Sequence, residues 1–147
     1  MEIVKIDTNN FSEFVNMAHL LFPKESREHL CDIYNKAFAT DREFGYFWQI
    51  ENKFAGIMHI SIRHEYVNGT DGSPVVFIEA IYVLPQYRKM GIGKHLLKFA
   101  ENFAKERGIK QIASDCYTDN AESESFHKAC GFEEKERVIC FAKDISI

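Results

Sequence analysis

The segment from Val75 to Lys94, V-V-F-I-E-A-I-Y-V-L-P-Q-Y-R-K-M-G-I-G-K, constrains the architecture more than any other part of this chain. Val75 to Leu84 is almost entirely apolar and β-branched or aromatic, the composition of a strand covered on both faces. Pro85 ends that strand, because proline has no backbone donor. Helical spacing then takes over, with Ile92, Leu96, Leu97, Ala100, Phe103 and Ala104 on one face. Gly91 and Gly93 fall where the helix begins, so its first N–H groups point outward with no side chain in the way. A helix start of this kind receives phosphate through its unpaired donors and its dipole. Arg88, Lys89 and Lys94 place positive charge at the same spot.

The rest of the chain arranges itself around that unit. Glu2 to Asp7 predicts a first strand, and Asn9 or Asn10 caps a helix carrying Phe11, Phe14, Val15, Ala18, Leu21 and Phe22, stopped by Pro23. Ser26 to Thr40 predicts a second helix. Phe44–Ile50 and Phe54–Tyr66 predict strands joined as a hairpin by Glu51, Asn52 and Lys53. Residues 67–74 are turn formers. After the long helix, which ends near Gly108, Lys110 to Tyr117 predicts a strand. Asp119 or Asn120 then caps a helix ending at Gly131, and Phe132 to Ala142 predicts the last strand or strand pair. The order βααβββαβαβ(β) describes an α/β sheet, and 147 residues suit one domain spanning the whole chain.

Composition narrows the function. A net charge of −4 argues against nucleic acid as a partner and leaves room for a cationic one. Cys31, Cys116, Cys130 and Cys140 form no C-x-x-C pair and no metal-like spacing with histidine, so no metal is expected; the last three are most simply core thiols. With no signal peptide and no long apolar run, the expectation is a soluble cytoplasmic protein away from membranes.

The glycine turn lacks both the G-x-G-x-x-G of dinucleotide sites and the G-x-x-x-x-G-K-[ST] of the P-loop. Its R-x-x-G-x-G, following a strand that ends in V-x-P, resembles the acetyl-CoA signature of the GNAT N-acetyltransferase superfamily. The resemblance narrows at Ser61 to Gly69, Ser73 to Phe77, Glu79, Ala113 to Asp115, Asp119-Asn120, His127, Gly131 to Glu134 and Glu136 to Ile139. Those positions are similar to aminoglycoside 6′-N-acetyltransferases. The N-terminal third matches less well, and Phe22-Pro23 stands where those enzymes usually carry Trp-Pro.

The resemblance implies an α/β GNAT acyltransferase fold, a mixed, mostly antiparallel twisted sheet flanked by helices. It implies direct transfer of acetyl from acetyl-CoA to the 6′-amine of an aminoglycoside, a resistance activity, by a homodimer. Val138 to Ala142 is apolar enough to pack across subunits. The cofactor residues are then Ile81, Tyr82 and Val83 on the strand, Arg88, Lys89, Met90, Gly91, Ile92, Gly93 and Lys94 in the turn, and Asn120. Strand backbone pairs with the pantetheine arm, and an N–H near Tyr82 or Val83 polarises the thioester carbonyl. Two alternatives stay open: a GNAT enzyme for another amine, such as a polyamine or protein terminus, or an acetyl-CoA-binding domain without turnover.

Glu79 is the anomaly of the central strand. A carboxylate there is costly unless it is paired or reaches a cleft. One reading is a structural pair with Arg63; the other is a cleft carboxylate that binds the acceptor ammonium and takes its proton, directly or through water. Asp115 interrupts a plausible strand, and Glu136 sits in an acidic patch that equally reads as a solvated turn. With Tyr66 and Phe22, these residues would form an acidic pocket for a polycationic sugar. His127 precedes Gly131 where many GNAT enzymes carry the tyrosine that protonates the departing thiolate; it is either that donor or an ordinary helix-face histidine. His19, His29, His59, His64 and His95 show no ligand spacing and receive no role.

Overall fold

The computed structural model describes residues 2–147, in two compact units, the first running to Asp115 and the second spanning Cys116–Ile147. The first unit carries a five-stranded sheet in the order β1-β2-β3-β4-β5, formed by Glu2–Lys5, Glu43–Ile50, Lys53–Arg63, Val75–Val83 and Ile112–Ala113. The first three pairings are antiparallel and the last, β4 with β5, is parallel. The expected mixed, mostly antiparallel sheet is therefore present.

Local chemistry accounts for the elements. Ser26 caps α2, Arg27–Ala37, by accepting a hydrogen bond from the His29 N–H at 3.0 Å. Asn10 precedes α1, Phe11–Leu21, but spends its side chain on the chain before it, accepting from the Asp7 N–H and donating to the Lys5 carbonyl. Glu51 and Asn52 both take positive φ, 49° and 64°, as a two-residue hairpin turn that follows the sheet's twist requires.

The period of two in β2 divides the core. Phe47 faces Phe14 of α1, with Tyr34 and Phe38 closing the ring cluster. Phe44, Tyr46 and Trp48 face the other way, onto Phe103, Phe99 and His95 of α3, Ile92–Glu106. All six apolar positions assigned to one face of α3 are buried, so helices cover both faces of β2 and β3.

Three expectations need correction. The strand placed at Lys110–Tyr117 shrinks to Ile112–Ala113. No strand forms over Phe132–Ala142; residues 132–147 carry no regular element, with Ile139 80% and Phe141 90% exposed. A strand exists only with a neighbour to receive its N–H and C=O groups, and a period-two pattern does not supply one. The cysteines expected in the core are not there either: Cys116 and Cys140 are exposed and Cys130 is partly covered, because they lie in this less covered second unit. That unit's regular element is α4, Ala121–Ala129, capped by Asn120, whose side chain accepts from the Ser123 N–H at 3.1 Å.

Candidate active site

Glu79 is the extra residue of a β-bulge. His59 pairs with Ala80 and Ile60 pairs with Ile78, so β4 fits one residue more than β3 at this step. A bulge re-aims a side chain and bends the strand that carries it. Here it turns a carboxylate out of an otherwise apolar strand. The side chain keeps 24% of its surface exposed and lines a cavity of about 260 Å³ with Phe22, Glu25, Leu30, Ile33, Tyr34, His59 and Ala80.

The alternation of β3 supplies its partners. His59, Ser61 and Arg63 occupy successive positions on one face of that strand. The Ser61 hydroxyl donates to Glu79 Oε2 at 2.6 Å, and the Arg63 guanidinium donates to both carboxylate oxygens, at 2.9 and 2.8 Å through Nη2. The guanidinium lies 3.6 Å from the ring centroid of Phe77. Glu79 is paired with Arg63, and its carboxylate also faces a cavity. A two-pronged guanidinium pair holds carboxylate orientation better than a single contact.

His59, assigned no role from sequence, is 7% exposed and lines the same cavity. Its Nε2 lies 2.9 Å from Glu43 Oε1. Burial lowers its pKa, opposed by the hydrogen bond and charge of Glu43 and by the charge of Glu79, while Arg63 adds to the lowering. The Tyr34 hydroxyl beside it is pushed up to about 12, first by burial and then by Glu79, and so stays a neutral donor. Glu25 is the other carboxylate on the cavity wall. It lies just beyond Phe22 in the connection to α2, where composition gave no signal.

The turn after β4 has the form expected of a phosphate cradle. Lys89 and Gly91 have φ of 64° and 79°, and a side chain at the latter position would strain the backbone. The first turn of α3 closes with the His95 N–H on the Gly91 carbonyl, which leaves the earlier amides of the turn facing outward. Arg88 is drawn back, its Nε donating to the Val83 carbonyl at 2.9 Å and its guanidinium near the Tyr82 ring. Pairing of β4 with β5 covers Val76 and Phe77, so among the described residues the β4 edge along Ile81, Tyr82 and Val83 has no strand on that side. An open sheet edge running into a side-chain-free helix start fits an extended arm that ends in a diphosphate.

Tyr66 is 70% exposed in the loop before β4, and Asp115 is exposed beyond β5; neither lines the cavity with Glu79 and Phe22. Glu136, in the second unit, is exposed. Its acidic neighbours Glu133 and Glu134 are paired with Lys135 and Arg137. His127, on α4, has Nδ1 at 2.7 Å from the Ser123 carbonyl and its ring edge-on to Phe126 and Phe132, contacts that orient the imidazole. Among the described residues no cluster of three metal-ligating side chains occurs, and no helix is long and apolar enough to cross a membrane.

Comparison with known proteins converges on one family. Residues 11–132 match the acetyltransferase (GNAT) family. The aminoglycoside N(6′)-acetyltransferase type 1 of Acinetobacter genomosp. 13 is 37% identical over 145 residues, covering 99% of both chains. The enzyme of the same name from Salmonella typhimurium is 34% identical over 144 residues, 97% of this chain and 99% of its own. The crystal structure of the 6′-N-acetyltransferase AAC(6′)-Ih from Acinetobacter baumannii superposes with a TM-score of 0.90 at 35% identity over 99% of each chain. AAC(6′)-Iy, in complex with the bisubstrate analogue CoA-S-monomethyl-acetylneamine, superposes with a TM-score of 0.92 at 31% identity over 98% of each chain.

Proposed function

Because this chain belongs to the GNAT acetyltransferase family, we infer that it is an aminoglycoside 6′-N-acetyltransferase, transferring acetyl from acetyl-CoA to the 6′-amine of aminoglycoside antibiotics. The observation that carries this reading is the arrangement along β4, where a bulge turns one carboxylate into a cavity and the same strand then runs into a glycine-bearing helix start.

Acetyl-CoA supplies the activated acyl group as a thioester. The N–H groups of Lys89 to Lys94 are our proposed hold on its pyrophosphate, and the edge of Ile81 to Val83 on its pantetheine arm. An N–H near Tyr82 or Val83 is suited to polarise the acyl carbonyl. Glu79, steadied by Ser61 and Arg63, receives the acceptor ammonium, with Phe22 as cavity wall. Asp115, Glu136 and Tyr66 are assigned to the outer sugar rings and their further ammonium groups. In the second unit, Asn120 contributes to CoA binding and His127 protonates the departing thiolate. The whole chain acts as one cytoplasmic catalytic domain.

A thiol-release assay with acetyl-CoA tests the assignment. Kanamycin or tobramycin should be turned over, and a 6′-hydroxyl analogue should bind without being acetylated. Apparent affinity should fall as salt rises, since exposed charge pairs are screened over about 8–10 Å at physiological ionic strength. Asp115→Asn and Glu136→Gln should each raise KM several-fold with kcat nearly unchanged, the signature of lost uniform binding. Turnover of spermidine or a peptide terminus, with none for any 6′-amine antibiotic, would overturn the assignment.

The same reading includes a homodimer. Val138, Ile139, Phe141 and Ile145 are all more than half exposed, an apolar run that suits a second copy of the chain. Light scattering at micromolar concentration should give twice 17.1 kDa, and Phe141→Glu should shift the population towards monomer. A single 17.1 kDa species for the native chain would remove the dimer.

A further inference from the structure

The acceptor arrives as an ammonium, which has no lone pair, so one proton must leave before the nitrogen can attack. Glu79 is poorly placed to be the sole acceptor of that proton, since its carboxylate already takes four hydrogen bonds from Ser61 and Arg63. A carboxylate so occupied is suited to holding a positive charge in place. The cavity contains a second group with the right chemistry. His59 lines it within one β-ladder step of Glu79, and its ring is fixed on three sides: by Tyr34 and Phe38, edge-on at 5.6 and 5.2 Å, and by Glu43.

We propose that His59, oriented by Glu43, is the base that takes the proton from the acceptor ammonium, and that Glu79 anchors the ammonium for that transfer. This rests on the acceptor site assigned above. A carboxylate only accepts hydrogen bonds, so the 2.9 Å contact with Glu43 puts the proton on His59 Nε2 and the lone pair on Nδ1. In the step, one N–H bond of the ammonium breaks, its electron pair stays on the amine nitrogen, and an N–H bond forms at the imidazole. The positive charge moves to a ring already facing the Glu43 carboxylate. Glu43 is 31% exposed and lines a smaller cleft with Lys5 and Thr40, so the dyad ends at the protein surface and the proton has a route to solvent.

The groups that bias this transfer come from every element packed around the ring. Glu43 on β2 and Glu79 on β4 favour the protonated imidazole, Arg63 on β3 disfavours it, and Tyr34 on α2 stays neutral. Burial outweighs the acids and leaves His59 below its ordinary value. His59 is therefore neutral, and competent as a base, at neutral pH. Activity carried by the neutral form falls as pH drops through that lowered value.

The test is the pH dependence of kcat with saturating tobramycin and acetyl-CoA, together with the titration of the His59 ring by NMR in the acceptor-free protein. His59→Gln should lower kcat by about 10²- to 10⁴-fold, the usual worth of a positioned base, and abolish the acidic limb. Acetyl-CoA affinity by calorimetry should stay within about threefold. Glu43→Gln removes the charge that raises the ring's pKa, so both the acidic limb and the NMR titration should move to lower pH. A kcat for His59→Gln within about threefold of native, with the limb intact, would overturn the proposal. So would an unmoved limb and titration in Glu43→Gln, a readout that does not depend on how the His59 variant folds. Native turnover of tobramycin reads the acceptor assignment separately, and the variant-to-native ratios read His59.

Discussion

Gly91→Asp is expected to bind acetyl-CoA about 30- to 1000-fold more weakly than the native chain while remaining folded. Backbone cost is the smaller part. At φ 79° a side chain is strained, by about 1–2 kcal/mol for most residues and less for aspartate, which tolerates this region. Space is not the obstacle, because the nearest atom to an added Cβ is the His95 ring at 3.8 Å. The larger part is charge. A carboxylate at the start of α3 competes for the amides assigned to the pyrophosphate and repels it. Losing one charge-assisted hydrogen bond costs about 1.5–3 kcal/mol, and with the repulsion added the total is about 2–4 kcal/mol, which is the stated range. Gly91→Ala separates the two effects: it carries the strain without the charge and should lose less than tenfold. Calorimetry on folded protein decides. Native affinity in Gly91→Asp would remove the turn from the cofactor site.

Glu79→Gln is expected to lower kcat/KM for a 6′-amino aminoglycoside by about a hundredfold and leave acetyl-CoA affinity within a few-fold. The amide keeps the shape and one acceptor, but not the charge that holds an ammonium, a loss of about 2–3 kcal/mol in a charge-assisted contact. Its effect on stability should be modest. Arg63 is one-third exposed and remains on the Phe77 ring, so the lost pair is screened and costs about 1 kcal/mol. Thermal melting should show a shift of a few degrees alongside the kinetic loss. An unfolded variant would leave Glu79 a structural role only, and unchanged kcat/KM would take it out of the acceptor site.

The parts of this fold that were legible in sequence are those settled by neighbours along the chain. The β4–turn–α3 unit, the Glu51-Asn52 hairpin and the Asn120 cap of α4 follow from proline, glycine, capping residues and periodicity, all local terms, whereas the asparagine expected to cap α1 bonds to the chain before it instead. What escaped depends on long-range pairing. The row of His59, Ser61 and Arg63 on β3 takes its meaning from the register that sets it beside the Glu79 bulge, and sequence reading picked out only Arg63 from it. Phe132 to Ala142 has strand composition and no strand, because the deciding partner is not encoded in the segment itself. Asp115 and Tyr66, singled out from composition and resemblance together, are exposed and do not line the cavity that holds Glu79 and Phe22.

The cavity has a rigid floor and an adjustable wall. Its floor is sheet: the Glu79 and His59 side chains are each tied to neighbouring strands by hydrogen bonds. Its wall is the end of α1, the connection after it and one face of α2, where Phe22, Glu25 and Ile33 are 36–50% exposed and bear little of the core. A lineage under pressure from a new antibiotic can rewrite that wall one residue at a time without rebuilding the chemistry beneath it. Drift in substrate range should accordingly accumulate in residues 22–33 while the β3–β4 floor stands still.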